Sequence, residues 1–388
     1  MDGRARAKLT SCGARIVTID ACEITSERPR TVGCNSFRGS HGRTISEPIV
    51  RLHTDAGVVG WGRCSATPAE ARLPAGRRVD EIFSLEQGGL AGYDLFDTAL
   101  WDLAGRLEGK AVHALLGSQG EQPVPIYDGS IYMEDIDPET GRDRGLSPVE
   151  EAVRMGLDGG FAAFKAKIGR GSRWMERAAG FRRDIDVIHR VRELLGSDRK
   201  LLLDANNAYS PEEARELVRQ VRQCGIFWFE EPFQEDIDAS LAFKRFLHED
   251  ERPILLADGE GTRPSEPGIR AMLRAGALDV VQFDLRPVPI GSWLPILPLI
   301  QEKGILAAPH NWHSHLLNYY VPHFGRGIRG FCMAETDISE TDDVDASRYR
   351  MSHGSLQIPD APGFGLELDH GAIDRRVRKK GWSVTTCE

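Results

Sequence analysis

The 388-residue chain is long enough for a barrel of about 250 residues plus a smaller partner domain. Its 41% hydrophobic and 28% charged residues are ordinary for a globular enzyme and exclude a disordered or fibrous chain. A formal net charge of −9 argues against a nucleic-acid partner, and no apolar run is long enough for a signal-peptide core or a membrane span, so a cytoplasmic protein is expected.

The first 122 residues read as mixed α and β. Strand-like runs at ARIVTIDACEI and PIVRLHTDAGVVGWG lead into an amphipathic helix at YDLFDTALWDLAGRLEG, where Leu95, Ala99, Leu100, Leu103 and Leu107 form one stripe. Between the two runs, TSERPRTVGCNSFRGSHGRTISE is rich in Gly, Ser and Arg and reads as a long loop, hence a functional one. The seven cysteines, Cys12, Cys22, Cys34, Cys64, Cys224, Cys332 and Cys387, contain no CxxC pair and read as buried thiols in a reducing compartment.

From residue 123 the chain alternates. The runs VPIYDGSIYM, AAFKAKI, KLLLDA, IFWFEEP, ILLADGE, DVVQFDL, ILAAPH and GFCMAET are eight short strands separated by seven helical segments. Apolar strands alternating with amphipathic helices imply parallel βαβ units, and eight of them point to a closed barrel, with a doubly wound open sheet as the other architecture. An eighth helix is missing, because residues 335–369 read as loop.

Polar residues fall at the ends of these strands. Asp204, Glu230, Glu260, Asp284, His310 and Glu335 follow one another at intervals of 24 to 30 residues, one βα unit each. In a closed barrel they converge on one mouth, where the active sites of this fold lie. A single carboxylate after a strand is most simply a helix N-cap, but six strand ends in succession are not explained that way. Three carboxylates meeting at a mouth repel one another unless a cation neutralises them, so Asp204, Glu230 and Glu260 read as an all-oxygen site for Mg²⁺. Asp284 and His310 read as a carboxylate orienting an imidazole for acid–base work, and Glu335 is left for substrate contact. The three histidines of HNWHSH suggest zinc, yet no HExxH or cysteine cluster supports it; His313 and His315 are expected to be solvated or to face substrate.

In AAFKAKIG, strand alternation places Lys165 and Lys167 on one face. Two lysines at a strand end could simply reach solvent. If instead they face the mouth, each cation lowers the proton affinity of the other.

KAKIG, LLLDANNAY, FWFEEP, ADGE, the strand-end Asp284, APHNW and the terminal MAE, with TALWDLAGRLEGKAVHALLG earlier, resemble the enolase superfamily, in its mandelate racemase-like branch of acid-sugar dehydratases. The resemblance implies a (β/α)7β barrel over residues 123–361. An α+β capping domain would be built from residues 1–122 and about 362–388. It also implies abstraction of the proton α to a substrate carboxylate, with Mg²⁺ held by Asp204, Glu230 (not Glu231) and Glu260 stabilising the enediolate. Lys167 would be a base on one face of the α-carbon and His310, paired with Asp284, would stand on the other. Lys165 and Glu335 would hold the substrate carboxylate and the developing oxyanion.

Two departures bear on the substrate. QFDLRPVPIG replaces a simpler glycine-containing turn, so Arg286 either reaches into the site or covers its rim, and ETD replaces an aromatic that often follows the terminal Glu. The expected reaction is dehydration of an aldonate or aldarate to a 2-keto-3-deoxy acid. Racemisation, epimerisation or cycloisomerisation of a 2-hydroxy acid is the alternative, and a catalytically silent binding protein is a remote one, because no ligand or base is missing. The segment from about Thr25 to Arg43 is the expected lid. Its arginines Arg28, Arg30, Arg38 and Arg43 would meet a polyhydroxy acid or second carboxylate, or else be surface charges. Tyr127, Tyr132, Asn206 and Arg286 are substrate-contact candidates, with core packing expected of at least one of the two tyrosines. The expected partner is a small sugar-acid carboxylate, with no nucleic acid or membrane, in a homo-oligomer.

Overall fold

Two long strands rich in β-branched residues open the chain and pair antiparallel, β1 (Ile16–Val32) with β2 (Gly42–Thr54). β3 (Val59–Arg63) continues the sheet beyond β2. The structure, a computed structural model, describes residues 9, 13–118, 122–249 and 253–386. The strand β1 overturns the long-loop reading: residues 25–32 are sheet, and only 33–41 connect the two strands. The first long helix, α1 (Asp97–Glu108), buries Ala99, Leu100 and Leu103 as its stripe requires, whereas Leu95 precedes the helix and is exposed.

The eight alternating runs form the barrel strands β4 (Val124–Ile131), β5 (Ala163–Lys167), β6 (Lys200–Asp204), β7 (Ile226–Glu230), β8 (Leu255–Asp258), β9 (Val280–Val281), β10 (Leu306–Ala307) and β11 (Ala334–Thr336). Each pairs in parallel with the next from β4 to β10. Phe331 then bridges Ala307 in parallel and β11 pairs with β4, which carries the ladder round to its first strand. Among the described residues no helix follows β11 until α2 (His370–Lys380). After it, β12 (Trp382–Thr385) returns to pair with β1, so the chain's two ends share one sheet.

The barrel interior is layered, because alternate residues of each strand face inward. Tyr127, Ala163, Leu202, Trp228, Ala257, Val280, Ala308 and Met333, one on or next to each strand, form a buried apolar floor. Two residues further along, on the strands or just beyond their ends, come Gly129, Lys165, Asp204, Glu230, Gly259, Gln282, His310 and Glu335. The change from apolar to polar at this level positions the site.

Cys22, Cys34, Cys64 and Cys224 are free and buried, as expected, and Cys332 is half-buried. Cys12 and Cys387 lie outside the described residues. None of the helices among those residues is long and apolar enough to cross a membrane.

Candidate active site

The ligand candidates occupy adjacent strands. Asp204 ends β6 in register with Glu230 of β7 and, on its other side, with Lys167 of β5. Glu260 lies beyond the end of β8. Gly259, at φ +109°, takes a left-handed conformation there that an L side chain rarely adopts, and this turn returns Glu260 to the mouth. One oxygen from each of Asp204, Glu230 and Glu260 lies within 4.8 Å of the others, and this is the metal-capable group of acidic, His or Cys side chains found among the described residues. The zinc alternative fails geometrically: His313 Nε2 faces His41 Nδ1 at 3.1 Å, and His315 is buried with Nδ1 2.7 Å from the Ser339 carbonyl.

Both lysines are buried at the mouth rather than at the surface. Lys165 Nζ donates to Glu230 Oε1 at 2.8 Å and is 2.8 Å from Glu335 Oε1 and 3.3 Å from Asp204 Oδ2. Lys167 Nζ donates to Asp204 Oδ2. Burial opposes the charge of both lysines, but the facing carboxylates outweigh it and hold both above the ordinary lysine value, Glu230 chiefly for Lys165 and Asp204 for Lys167. The expectation that Lys165 would lower Lys167 is therefore corrected. Lys165 does act in that sense, but the Asp204 carboxylate in direct contact is stronger.

On the opposite side of the mouth, His310 Nδ1 lies 3.1 Å from Asp284 Oδ2, which leaves Nε2 facing inward, 3.2 Å from Glu260 Oε2 and 3.8 Å from Glu335 Oε2. Burial disfavours the imidazolium, yet Glu260, Glu335 and Asp284 together raise His310 to about 9. Arg286 reaches into the site: its Nε donates to Asp284 Oδ2 at 2.9 Å and its backbone N–H to Oδ1 at 2.7 Å. His310 and Arg286 together overcome burial and hold the Asp284 carboxyl below the usual range.

Glu335 accepts the Asn311 backbone N–H at 2.9 Å, and Gly129 makes room for it, since a Cβ at that glycine would stand 2.3 Å from Glu335 Oε1. Asn206 donates to Glu231 Oε2 at 3.1 Å, while its own Oδ1 is buried without a hydrogen-bond partner. Asn206 (φ 44°), Asn207 (φ 61°), Glu231 (φ 43°) and His313 (φ 61°) are all non-glycine residues in the left-handed region, and all border the mouth. Tyr127 packs edge-on against Trp228, as a core residue should, and Tyr132 stacks on Trp312 with centroids 4.8 Å apart.

The 33–41 loop is fastened over this mouth. Ser36 Oγ donates to the Asn206 carbonyl at 3.1 Å, Ser172 Oγ to the Ser36 carbonyl at 2.7 Å, and Trp174 Nε1 to the Asn35 carbonyl at 2.6 Å. Two of the four expected lid arginines are committed to protein carboxylates. Arg28 is fully buried against Asp337 at 2.6 and 3.0 Å, and Arg30 pairs with Glu134. Arg43 is an exposed partner of Glu27 at 3.5 Å, and Arg38 is exposed on the loop.

Sequence reasoning missed Gln282, whose Nε2 donates to Glu230 Oε2 at 2.9 Å. The signal was present, because Gln282 stands two residues before Asp284 in QFD and so shares its face. His41 and Trp312, discussed below, left no comparable signal.

Acidic and basic strand ends gathered around one mouth are the mark of a barrel enzyme of acid–base chemistry. Residues 148–372, more than half of the chain, match the family described as enolase C-terminal domain-like, and the protein belongs to that family, in its mandelate racemase-like part. The chain is 29% identical to D-galactarolactone cycloisomerase of Agrobacterium fabrum over 84% of this chain and 89% of that one. It is 30% identical to arabinonate dehydratase of Saccharolobus solfataricus over 74% and 72%. Among solved structures, galacturonate dehydratase from Geobacillus sp., complexed with D-galacturonate and 5-keto-4-deoxy-D-galacturonate, superposes with a TM-score of 0.88 at 29% identity, covering 96% of this chain and 99% of that one. A mandelate racemase/muconate lactonizing protein from Geobacillus sp. Y412MC10, complexed with magnesium and tartrate, gives 0.87 at 28% identity over 97% and 98%.

Proposed function

We propose that the protein is a Mg²⁺-dependent hydro-lyase that converts a sugar acid, an aldonate or aldarate, into a 2-keto-3-deoxy acid by removing the proton α to the carboxylate. The observation that carries this reading is the convergence of the Asp204, Glu230 and Glu260 oxygens within 4.8 Å between two proton-handling groups, Lys167 and the Asp284–His310 pair. Dehydratases among the relatives and Mg²⁺ in a solved neighbour support it.

The donor set fits a hard divalent ion. It is all carboxylate, and Glu260 Oε2 is buried without an aligned hydrogen-bond donor. Asp204, Glu230 and Glu260 would hold the ion, and when bound it supplies the positive charge that stabilises an enediolate at the substrate carboxylate. Lys165, between Glu230 and Glu335, donates to a substrate carboxylate oxygen, and Glu335 stands beside the place where the oxyanion develops. Whichever of Lys167 and His310 is unprotonated takes the α-proton; the other, protonated, delivers a proton to the β-hydroxyl, which leaves as water. Asp284 holds the imidazole so that Nε2 faces the substrate, and Arg286 holds Asp284. Residues 1–122 with 362–388 cap the barrel of residues 123–361, and the capped chain assembles as a cytoplasmic homo-oligomer.

The test is a screen of acid sugars with Mg²⁺, scored for 2-keto-3-deoxy product and for exchange of the α-proton in D₂O. EDTA is expected to lower turnover by at least about a hundredfold and added Mg²⁺ to restore it. Absence of exchange with every acid sugar would sink the reading. A second reading, cycloisomerisation or epimerisation, is favoured by the similarity to the Agrobacterium cycloisomerase and by proton-handling groups on both sides of the mouth. It predicts exchange with an isomeric product and no keto-deoxy acid.

A further inference from the structure

A buried imidazole at the edge of this mouth has no role in the reaction as derived above. His41 ends the loop between β1 and β2 and is 7% exposed. Its ring lies 4.5 Å from that of Tyr132, 5.2 Å from that of His313 and 6.1 Å from that of Trp312. Two obligate donors fix where its proton resides. Trp312 Nε1, which can only donate, is 3.0 Å from His41 Nδ1. Arg28 Nη2, likewise only a donor, is 3.4 Å from His313 Nδ1, which leaves the His313 proton on Nε2, 3.1 Å from the same His41 Nδ1. Burial, reinforced by nearby cations, pushes His41 down to about 2 and His313 to about 4, so both rings are neutral. Neutral His41 therefore carries its hydrogen on Nε2, and Nε2 is buried with no hydrogen-bond partner. A buried N–H without an acceptor is rare enough in folded proteins to require an explanation. Lys167 is among the charges that act on His41, and its ammonium lies 5.3 Å from the centre of the same Tyr132 ring, which places the orphan donor at the rim of the same mouth, one aromatic ring away from the base.

We propose that His41 Nε2–H donates a hydrogen bond to an uncharged oxygen of the substrate, a hydroxyl remote from the reacting carboxylate, and that the Tyr132 and Trp312 rings pack against the carbon chain bearing it. Arg28 and Arg30 are already committed to Asp337 and Glu134, and the buried donor they leave is a neutral one, the remaining loop cation Arg38 being exposed. This end of the site therefore suits a hydroxyl better than a second carboxylate, an aldonate in preference to an aldarate. The inference rests on the sugar-acid reading above.

The experiment uses the Mg²⁺-loaded enzyme with an aldonate it turns over, the analogue lacking the distal hydroxyl, and the corresponding aldarate. Wild type is expected to prefer the aldonate to both by about tenfold or more in kcat/KM. His41→Phe should raise KM for the aldonate about tenfold with kcat within about threefold, leave the deoxy analogue unchanged and so erase the preference. His41→Gln, which keeps a donor, should recover most of it. An unaltered preference in His41→Phe, equal losses on both substrates, or a wild-type preference for the aldarate would overturn the assignment. Nitrogen-15 NMR of the metal-free protein reads the tautomer without turnover: an Nε2–H signal for His41 is expected, and an Nδ1–H signal would overturn the assignment. If wild type turns over no acid sugar, the sugar-acid reading fails, and the NMR result still decides the His41 tautomer separately.

Discussion

Replacing Lys167 by Ala is expected to reduce turnover by about a thousandfold or more, the cost of losing a positioned acid–base group. His310→Asn should cost as much, because it removes the only ring that Asp284 presents to the mouth. The two variants separate in what survives. If Lys167 takes the α-proton, His310→Asn still exchanges it with D₂O but forms no keto-deoxy product, whereas Lys167→Ala exchanges nothing; if His310 takes it, the pattern reverses. Lys167→Ala also leaves the Asp204 carboxylate with one cationic neighbour instead of two, so each variant is checked for an unchanged thermal transition before its kinetics are compared. Turnover within tenfold of wild type in both variants would remove this pair from the mechanism.

What the sequence disclosed follows from which periodicities survive in single residues. Each barrel strand is an apolar run ended by one polar residue, so Asp204, Glu230 and His310 stand out against Leu202, Trp228 and Ala308 two positions earlier. The segment from Thr25 to Val32 keeps the same period of two: Ser26, Arg28 and Val32 are buried while Glu27, Pro29 and Thr31 are exposed. Two of its three buried positions are polar, because Arg28 faces Asp337 rather than an apolar sheet, and a hydrophobicity pattern cannot see a strand written that way. Contacts between distant segments were beyond reach for a different reason. Trp312 meets His41 across 271 positions of chain, and nothing local in either segment marks the other. The electrostatics of Lys167 failed for a related cause. Like-charge repulsion from Lys165 was visible in KAK, but the stronger attraction of Asp204 appears only when β5 and β6 are laid side by side.

Arg170→Met is expected to destabilise the folded chain by about 3–5 kcal/mol, the range for removing one member of a buried ionic network. The guanidinium is fully buried. It donates through Nε and Nη2 to Asp135 at 2.6 to 3.1 Å and through Nη1 to Asp184 at 2.7 Å. Met fills comparable volume but leaves Asp135 and Asp184 without the buried cation they share. Asp184 would keep the Tyr209 hydroxyl at 2.7 Å and two backbone N–H groups, while Asp135 would keep Arg183 at 3.2 Å as its cation. Lysine restores one charge but not the fork that spans both acids, so Arg170→Lys should recover less than half of the loss. The deficit has a pH signature. In wild type the arginines outweigh burial and hold the Asp135 carboxyl below its ordinary value, so its contribution is present above the unfolded value of about 3.9 and is lost as pH falls through the lower folded one. Without Arg170, burial dominates and raises the folded value, so the variant gains relative stability as its carboxylates protonate. Denaturant midpoints of variant and wild type should therefore lie furthest apart near pH 7 and approach each other toward pH about 4. The same residue supports the site, since its Nη1 also donates to the Lys167 carbonyl at 3.2 Å. A variant with full stability and full turnover would show that this network neither holds the fold nor positions the strand end that carries the base.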